Sequence, residues 1–170
     1  MPSNRNIQLD EIDWRLLAAL QENARASRTQ LGAAVHLSGP AVGARLRRLE
    51  DAGVIRGYRA QLGLAELGLD LAAFVRVRYP TGDHRPFERI IGGRPEVIEC
   101  HHVTGEDCFV VRVVARSVAH LEETVAALGK VGGGTTTSIV FSTPIAWRPI
   151  TRELARDPVD DGRNKARRRS

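Results

Sequence analysis

Arg45, Arg47 and Arg48 stand close together in LSGPAVGARLRRLEDAG, and guanidinium is the group that pairs twice with one guanine edge or with a phosphate. At about 100° per residue, Val42, Leu46 and Leu49 form one apolar stripe, and Pro40, Ala44, Arg47 and Asp51 lie opposite it. Ala41 and Arg48 flank that outer side, whereas Arg45 sits nearer the apolar edge. Small residues in front and arginines behind suit a helix whose N-terminal end closes on base edges in a major groove. A merely solvated basic face would carry the same arginines.

Two other groupings invite chemistry. Cys100, His101, His102 and Cys108 are metal-ligand types, but on a strand Cys100 and His102 share one face while His101 points to the other. No CxxC or HxxxH spacing supports them, so no metal site is expected, and Cys100 is read as packing. Thr104-Gly105-Glu106-Asp107 has the composition of a hairpin turn. No nucleophile-base spacing and no phosphate loop is found, so no catalytic residue, no cofactor and no enzyme is expected.

These residues need elements to hold them. Ser38 is a good N-cap, Pro40 is tolerated in the first turn, and Gly53 supplies the stop, which gives a helix. Upstream, Asp10 caps a helix carrying Ile12, Leu16 and Leu20 that ends near Asn23. Ser27, with Gln30 in a capping-box arrangement, begins a second helix with Leu31, Ala34 and Val35. His36 and Leu37 leave only a tight turn before the third helix, which is the helix-turn-helix layout. Residues 54–62, VIRGYRAQL, read as a short strand or wing, and residues 63–68, GLAELG, as a linker.

From Leu69 the period changes to two, with Ala73, Val75 and Val77 alternating against Phe74, Arg76 and Arg78 up to Tyr79-Pro80. Asp83 is placed to cap a short helix with Phe87, Ile90 and Ile91. Residues 97–103 and 108–115 read as two strands, Ser117 caps another helix, and residues 136–142 read as a last strand after Gly132-Gly133-Gly134. The order strand, helix, strand, strand, helix, strand is the ferredoxin-like βαββαβ arrangement, so the fold class is α+β. The domains expected are 1–62, a linker at 63–68, 69–150, and a polar basic tail at 151–170 ending RNKARRRS, too poor in apolar residues to fold.

The chain has 170 residues, 42% of them hydrophobic, enough for two small cores. Its net charge of +5 is uneven: residues 1–60 carry +3, 61–150 carry −1 and 151–170 carry +3, so the two ends are suited to a polyanion. Only Lys130 and Lys165 are lysines, which makes the arginine richness partly a matter of composition. Two cysteines are too few for a disulfide scaffold, and neither a leader pattern nor a long apolar run is present; a cytoplasmic protein without membrane contact is expected.

A winged helix-turn-helix followed by a βαββαβ domain resembles the Lrp/AsnC, or feast/famine, family of transcriptional regulators. The resemblance rests on LDEIDWRLLAALQENAR, RLRRLEDAGVIRGYRAQL, PEVIECHHVTGEDCFVVRVV and TTTSIVFST, in that order. It implies a RAM-type second domain that builds a homodimer, assembling to a tetramer or octamer, with His102 near the dimer interface and an amino-acid-like effector bound between dimers. Thr104, Gly105, Glu106 and Asp107 then match the effector loop, and Thr137 and Ser138 the facing strand. Double-stranded DNA would meet Arg28, Thr29, Ser38, Gly39, Pro40, Ala41, Ala44, Arg45, Arg47 and Arg48. Gly39-Pro40 departs from the Ser or Thr many relatives carry there, and Cys108 replaces a common aromatic. The expected function is a sequence-specific, effector-responsive regulator. The alternatives are an architectural DNA-binding protein and, on the same fold, a sirohaem-decarboxylase-like enzyme using His101 and His102.

Overall fold

The computed structural model describes residues 7–79, 82–105, 108–130 and 133–155. The described chain divides into two compact units, residues 61–144 forming one, and residues 7–60 together with 145–155 forming the other. From Ile145 the described chain groups with the first unit.

In the first unit α1 (Glu11–Glu22), α2 (Arg28–Val35) and α3 (Gly39–Asp51) begin at the expected caps. Asp10 and Asp13 form a reciprocal capping box, as do Ser27 and Gln30, and the Ser38 hydroxyl accepts from the Ala41 N–H. Leu16, Leu20, Leu31, Val35 and Val42 close one core, with Ile12, Leu37, Leu46 and Ile55 packed on it. The turn between α2 and α3 is tight because His36 takes a left-handed conformation, φ 58°, and Leu37 N–H donates to Gly32 O at 2.9 Å.

Residues 54–62, expected as a strand or wing, form no strand: an isolated extended segment has no ladder to join. Tyr58 instead turns back on the end of α3, its hydroxyl donating to Glu50 Oε1 at 2.9 Å. Burial, and then Glu50, push the phenol pKa up to about 12. Within the expected linker, Ala65–Leu67 winds into one short 3-10 turn.

The second unit is the βαββαβ arrangement, with β1 (Leu71–Arg78), α4 (Arg85–Gly92), β2 (Val97–His102), β3 (Phe109–Ala115), α5 (Val118–Gly129) and β4 (Gly134–Ile139). The strands order as β2-β3-β1-β4, every neighbouring pair antiparallel. Ala73, Val75 and Val77 from β1 and Phe109, Val111 and Val113 from β3 face the core with Phe87, Leu121 and Leu128. Phe74 and Arg76 turn to the opposite, open face.

Asp83 does not cap α4 as expected. His84 is the cap residue, without a side-chain bond, and Asp83 Oδ1 accepts from the Arg85 N–H at 3.1 Å and from its guanidinium at 2.8 Å. The last strand begins at Gly134 rather than Thr136 and ends at Ile139 rather than Ser142. Pairing with Arg78 draws in the glycine that composition assigned to a loop. Beyond it, Thr151 O accepts from the Leu154 and Ala155 N–H groups, so the first part of the expected tail is an ordered turn, and residues 156–170 lie outside those described.

Candidate nucleic-acid interface and effector loop

The face of α3 away from the core is the strongest candidate surface. Val42 and Leu49 are fully buried. Ser38, Pro40, Ala44 and Arg47 are exposed, and Gly39 and Ala41 half-buried. Ser38 spends its hydroxyl on capping, and Pro40 and Ala44 leave the front of the helix low, so a groove floor can come close. Arg47 projects from this face with no hydrogen bond or ion pair to another described residue.

Arg28 and Thr29 open α2 and are also exposed. The Arg28 side chain lies along α3: a Cβ added to Gly43 would meet its guanidinium at 3.4 Å, and one added to Gly39 would meet its Cβ at 3.9 Å. Gly39 therefore faces α2 more than the outside. Gly43, buried beside it and absent from the residues expected on DNA, has the Arg28 guanidinium lying against it.

Arg45 and Arg48 are engaged within the unit. Arg45 Nη1 lies 2.7 Å from Asp10 Oδ2 and 2.9 Å from Asp13 Oδ1. Arg48 Nη2 donates to Asp13 Oδ2, and its Nη1 reaches Gln8 O at 3.4 Å. Asp13 is 0% exposed, so both its oxygens are spoken for in a dry site. Hydrogen bonds to Asp10 and Asp13 raise the Arg45 pKa further. Burial works against the Asp10 carboxylate, but the Asp13 N–H and Arg45 outweigh it and hold its pKa below the ordinary value. The network borders an open hollow of about 370 Å³ lined by Gln8, Asp10, Ala44, Arg45 and Arg48.

Sequence reasoning left out Asp10 and Asp13 as parts of this surface. A signal was present, since Asp13 falls on the same helical stripe as Leu16 and Leu20, where a carboxylate must find a cation.

The expected effector residues are not gathered in one chain. Thr104 and Gly105 sit exposed in the β2–β3 turn, closed by Val103 N–H donating to Cys108 O at 2.8 Å; Glu106 and Asp107 lie outside the described residues. Gly105 has φ 117°, a conformation that favours glycine. Thr137 and Ser138 are on β4, at the other edge of the sheet, roughly 10–15 Å away at ordinary strand spacing. They also diverge: Thr137 pairs with core-facing Val75 and Ser138 with outward Phe74. Two halves of such a site meet only if a second copy brings one to the other.

Near the turn, the His102 ring stacks on Phe109 at 4.8 Å and meets His84 edge-on at 4.8 Å. Cys100 shares the helix-facing side with His102, burial raising its thiol pKa, while His101 pairs with Val110 on the open face. Among the described residues no three His, Cys, Asp or Glu side chains gather to hold a metal.

Known proteins resemble the chain in both of its parts. Residues 9–50 match the AsnC-type helix-turn-helix domain and residues 72–150 the Lrp/AsnC ligand binding domain. The chain is 37% identical over 120 residues to the leucine-responsive regulatory protein of Rhizobium meliloti, covering 69% of this chain and 77% of that one. It is 33% identical over 153 residues to the HTH-type transcriptional regulator AldR of Mycobacterium tuberculosis, covering 86% and 85%. Its fold matches that of a Neisseria meningitidis transcriptional regulator solved as an L-Met complex, with TM-score 0.79, 29% identity, and 86% and 99% of the two chains covered.

Proposed function

The chain belongs to the Lrp/AsnC family of DNA-binding transcriptional regulators, and on that premise we propose that it is a sequence-specific regulator whose response is set by an amino-acid-like effector. The relatives are regulators and not enzymes, which sets the decarboxylase alternative aside. The reading is carried by α3: a low front of Ser38, Pro40 and Ala44 followed by an unpartnered, outward Arg47. With Arg28 and Thr29 at its side, this surface enters a major groove, Arg47 supplying a bidentate contact to guanine or a clamp on phosphate.

The protein acts as a homodimer, with tetramers or octamers built from it. The open sheet face carrying exposed Phe74 and half-buried Val110 supports pairing of copies, since a second copy would cover apolar surface left open in one chain. Assembly also supplies what one chain lacks, namely Thr104 to Asp107 of one copy facing Thr137 or Ser138 of another. There an α-ammonium is met by carboxylate and an α-carboxylate by hydroxyl. The L-Met bound by the Neisseria relative favours an effector of this class. An effector shifts DNA binding by preferring one assembly over another. Among the described residues no helix is long and apolar enough to cross a membrane, in keeping with action on DNA in the cytoplasm.

Sequencing genomic fragments captured by the purified protein near physiological salt, with and without pooled amino acids, tests this. A recurring two-fold motif that changes with amino acids is the expected result. Capture without enrichment would replace it with the architectural reading.

A further inference from the structure

The ion-pair network behind α3 does something the outward arginines do not. We propose that Asp13 is a positioning residue of the DNA-reading surface: its carboxylate, buried between α1 and α3, holds Arg45 and Arg48 and so fixes the roll of the recognition helix. The inference rests on the proposed sequence-specific function and reassigns two arginines that the sequence placed on DNA.

A buried carboxylate without partners is strongly unfavourable, and a buried ion pair contributes less to stability than to holding one arrangement. Asp13 is wholly enclosed and neither oxygen is idle. Its Oδ1 accepts from Arg45, while Oδ2 accepts from Arg48 and from the Asp10 N–H. Asp10 takes the same Arg45 Nη1 at 2.7 Å, and that capping aspartate is in turn tied to the Asp13 N–H at 2.8 Å. The start of α1 and the middle of α3 are therefore one hydrogen-bonded body.

Arg45 and Arg48 are i, i+3 neighbours and act as two struts along one side of α3; Arg47 points away between them. A roll of about 10° would move a group at the ~5–6 Å radius of the helix surface by about 1 Å. That is enough to spoil a bidentate hydrogen-bond pair, so readout by Arg47 depends on the struts. Guanidiniums already bound to a buried carboxylate are also poor phosphate ligands, since reaching DNA would strand Asp13.

Salt dependence separates positioning from contact. The full chain and its Arg45→Met, Arg47→Met, Arg48→Met and Asp13→Asn variants are titrated against an enriched duplex and a scrambled duplex of equal length, each variant first checked for folding by circular dichroism. Removing a phosphate contact lowers the slope of log K against log salt by about 0.9. The expected result for Arg45→Met and Arg48→Met is an unchanged slope with a preference for the enriched duplex reduced about tenfold or more. Arg47→Met loses preference directly, with or without a change of slope, and Asp13→Asn behaves like its arginine partners. A slope lowered by about 0.9 in Arg45→Met or Arg48→Met would make that arginine a DNA contact and overturn the proposal. A preserved preference in both would reduce the network to a structural brace and overturn it equally. Should Asp13→Asn fail to fold, the arginine variants still decide. A wild-type protein with no preference would instead overturn the sequence-specific reading and this inference with it, a result no variant can mimic.

Discussion

Glu96 is a carboxylate whose titration ties the second unit to pH. Glu96 Oε1 lies 3.0 Å from His120 Nε2, and the His120 Nδ1 lies 3.4 Å from the Arg116 N–H. That backbone contact assigns the ring proton to Nε2, which donates to Glu96. The Glu96 backbone N–H and then His120 favour the carboxylate form and hold its pKa below the ordinary value despite burial. A group with a lowered folded pKa contributes stability that is fully present above its unfolded value, about 4.3 for glutamate, and is lost as pH falls through the folded one. Glu96→Gln should therefore be less stable than wild type at pH 7, and the gap should narrow as pH falls below about 4. Urea unfolding at pH 7 and at pH 3.5 measures both gaps, and the difference cancels the other carboxylates. A gap that stays constant would mean Glu96 contributes shape and no charge.

At the scale of elements, what was legible in the sequence was local. Asp10, Ser27 and Ser38 each bond to a backbone N–H three residues on, a reach that a spacing rule captures. The alternation in β1 was equally plain, because one buried face writes itself as period two. The strand expected at 54–62 was not formed, since ladder pairing depends on a partner that periodicity does not name. The effector loop and the facing strand came from the family resemblance as parts of a site between dimers, and the order β2-β3-β1-β4 indeed keeps them apart within one chain. The place of Arg45 near the apolar edge left open a bond within the domain, but its partners, and that of Arg48, depend on how α1 packs across α3.

Gly32 shows an element held by a close approach. A Cβ there would stand 2.3 Å from the Leu37 carbonyl oxygen, a backbone atom of the turn into α3. Gly32→Ala should force that turn open at a cost of roughly 1–3 kcal/mol. Both tryptophans, Trp14 and Trp147, belong to the first unit, so tryptophan fluorescence follows its unfolding by itself. The expected outcome is a lower urea midpoint by fluorescence. An unchanged midpoint would mean the turn relaxes freely and does not set the α2–α3 geometry.

At the scale of the molecule, the chain leaves the first unit at residue 60 and returns to it at Ile145. The units are therefore joined by two chain segments. The second leads directly from β4, which carries Thr137 and Ser138, to a strap on the helix-turn-helix unit. Gln21 of α1 fastens that strap: its Nε2 donates to Ile150 O at 3.0 Å and its Oε1 accepts from the Ile150 N–H at 2.8 Å. The amide thus treats Ile150 as a neighbouring strand would. Apolar burial adds little, since Ile145, Trp147, Ile150 and Leu154 are all more than half exposed. A typical hydrogen bond contributes about 0.5–1.5 kcal/mol net, so loss of this pair is a small change in global stability but a large one for a strap with few other attachments. Gln21→Ala should barely move the urea midpoint while speeding tryptic cleavage after Arg152, since Arg148 precedes Pro149 and is not cut. Limited proteolysis of the full chain, read by mass, follows cleavage at Arg152. Faster cutting there in the variant would establish Gln21 as the fastening, and an equal rate would show that the strap is held by other contacts.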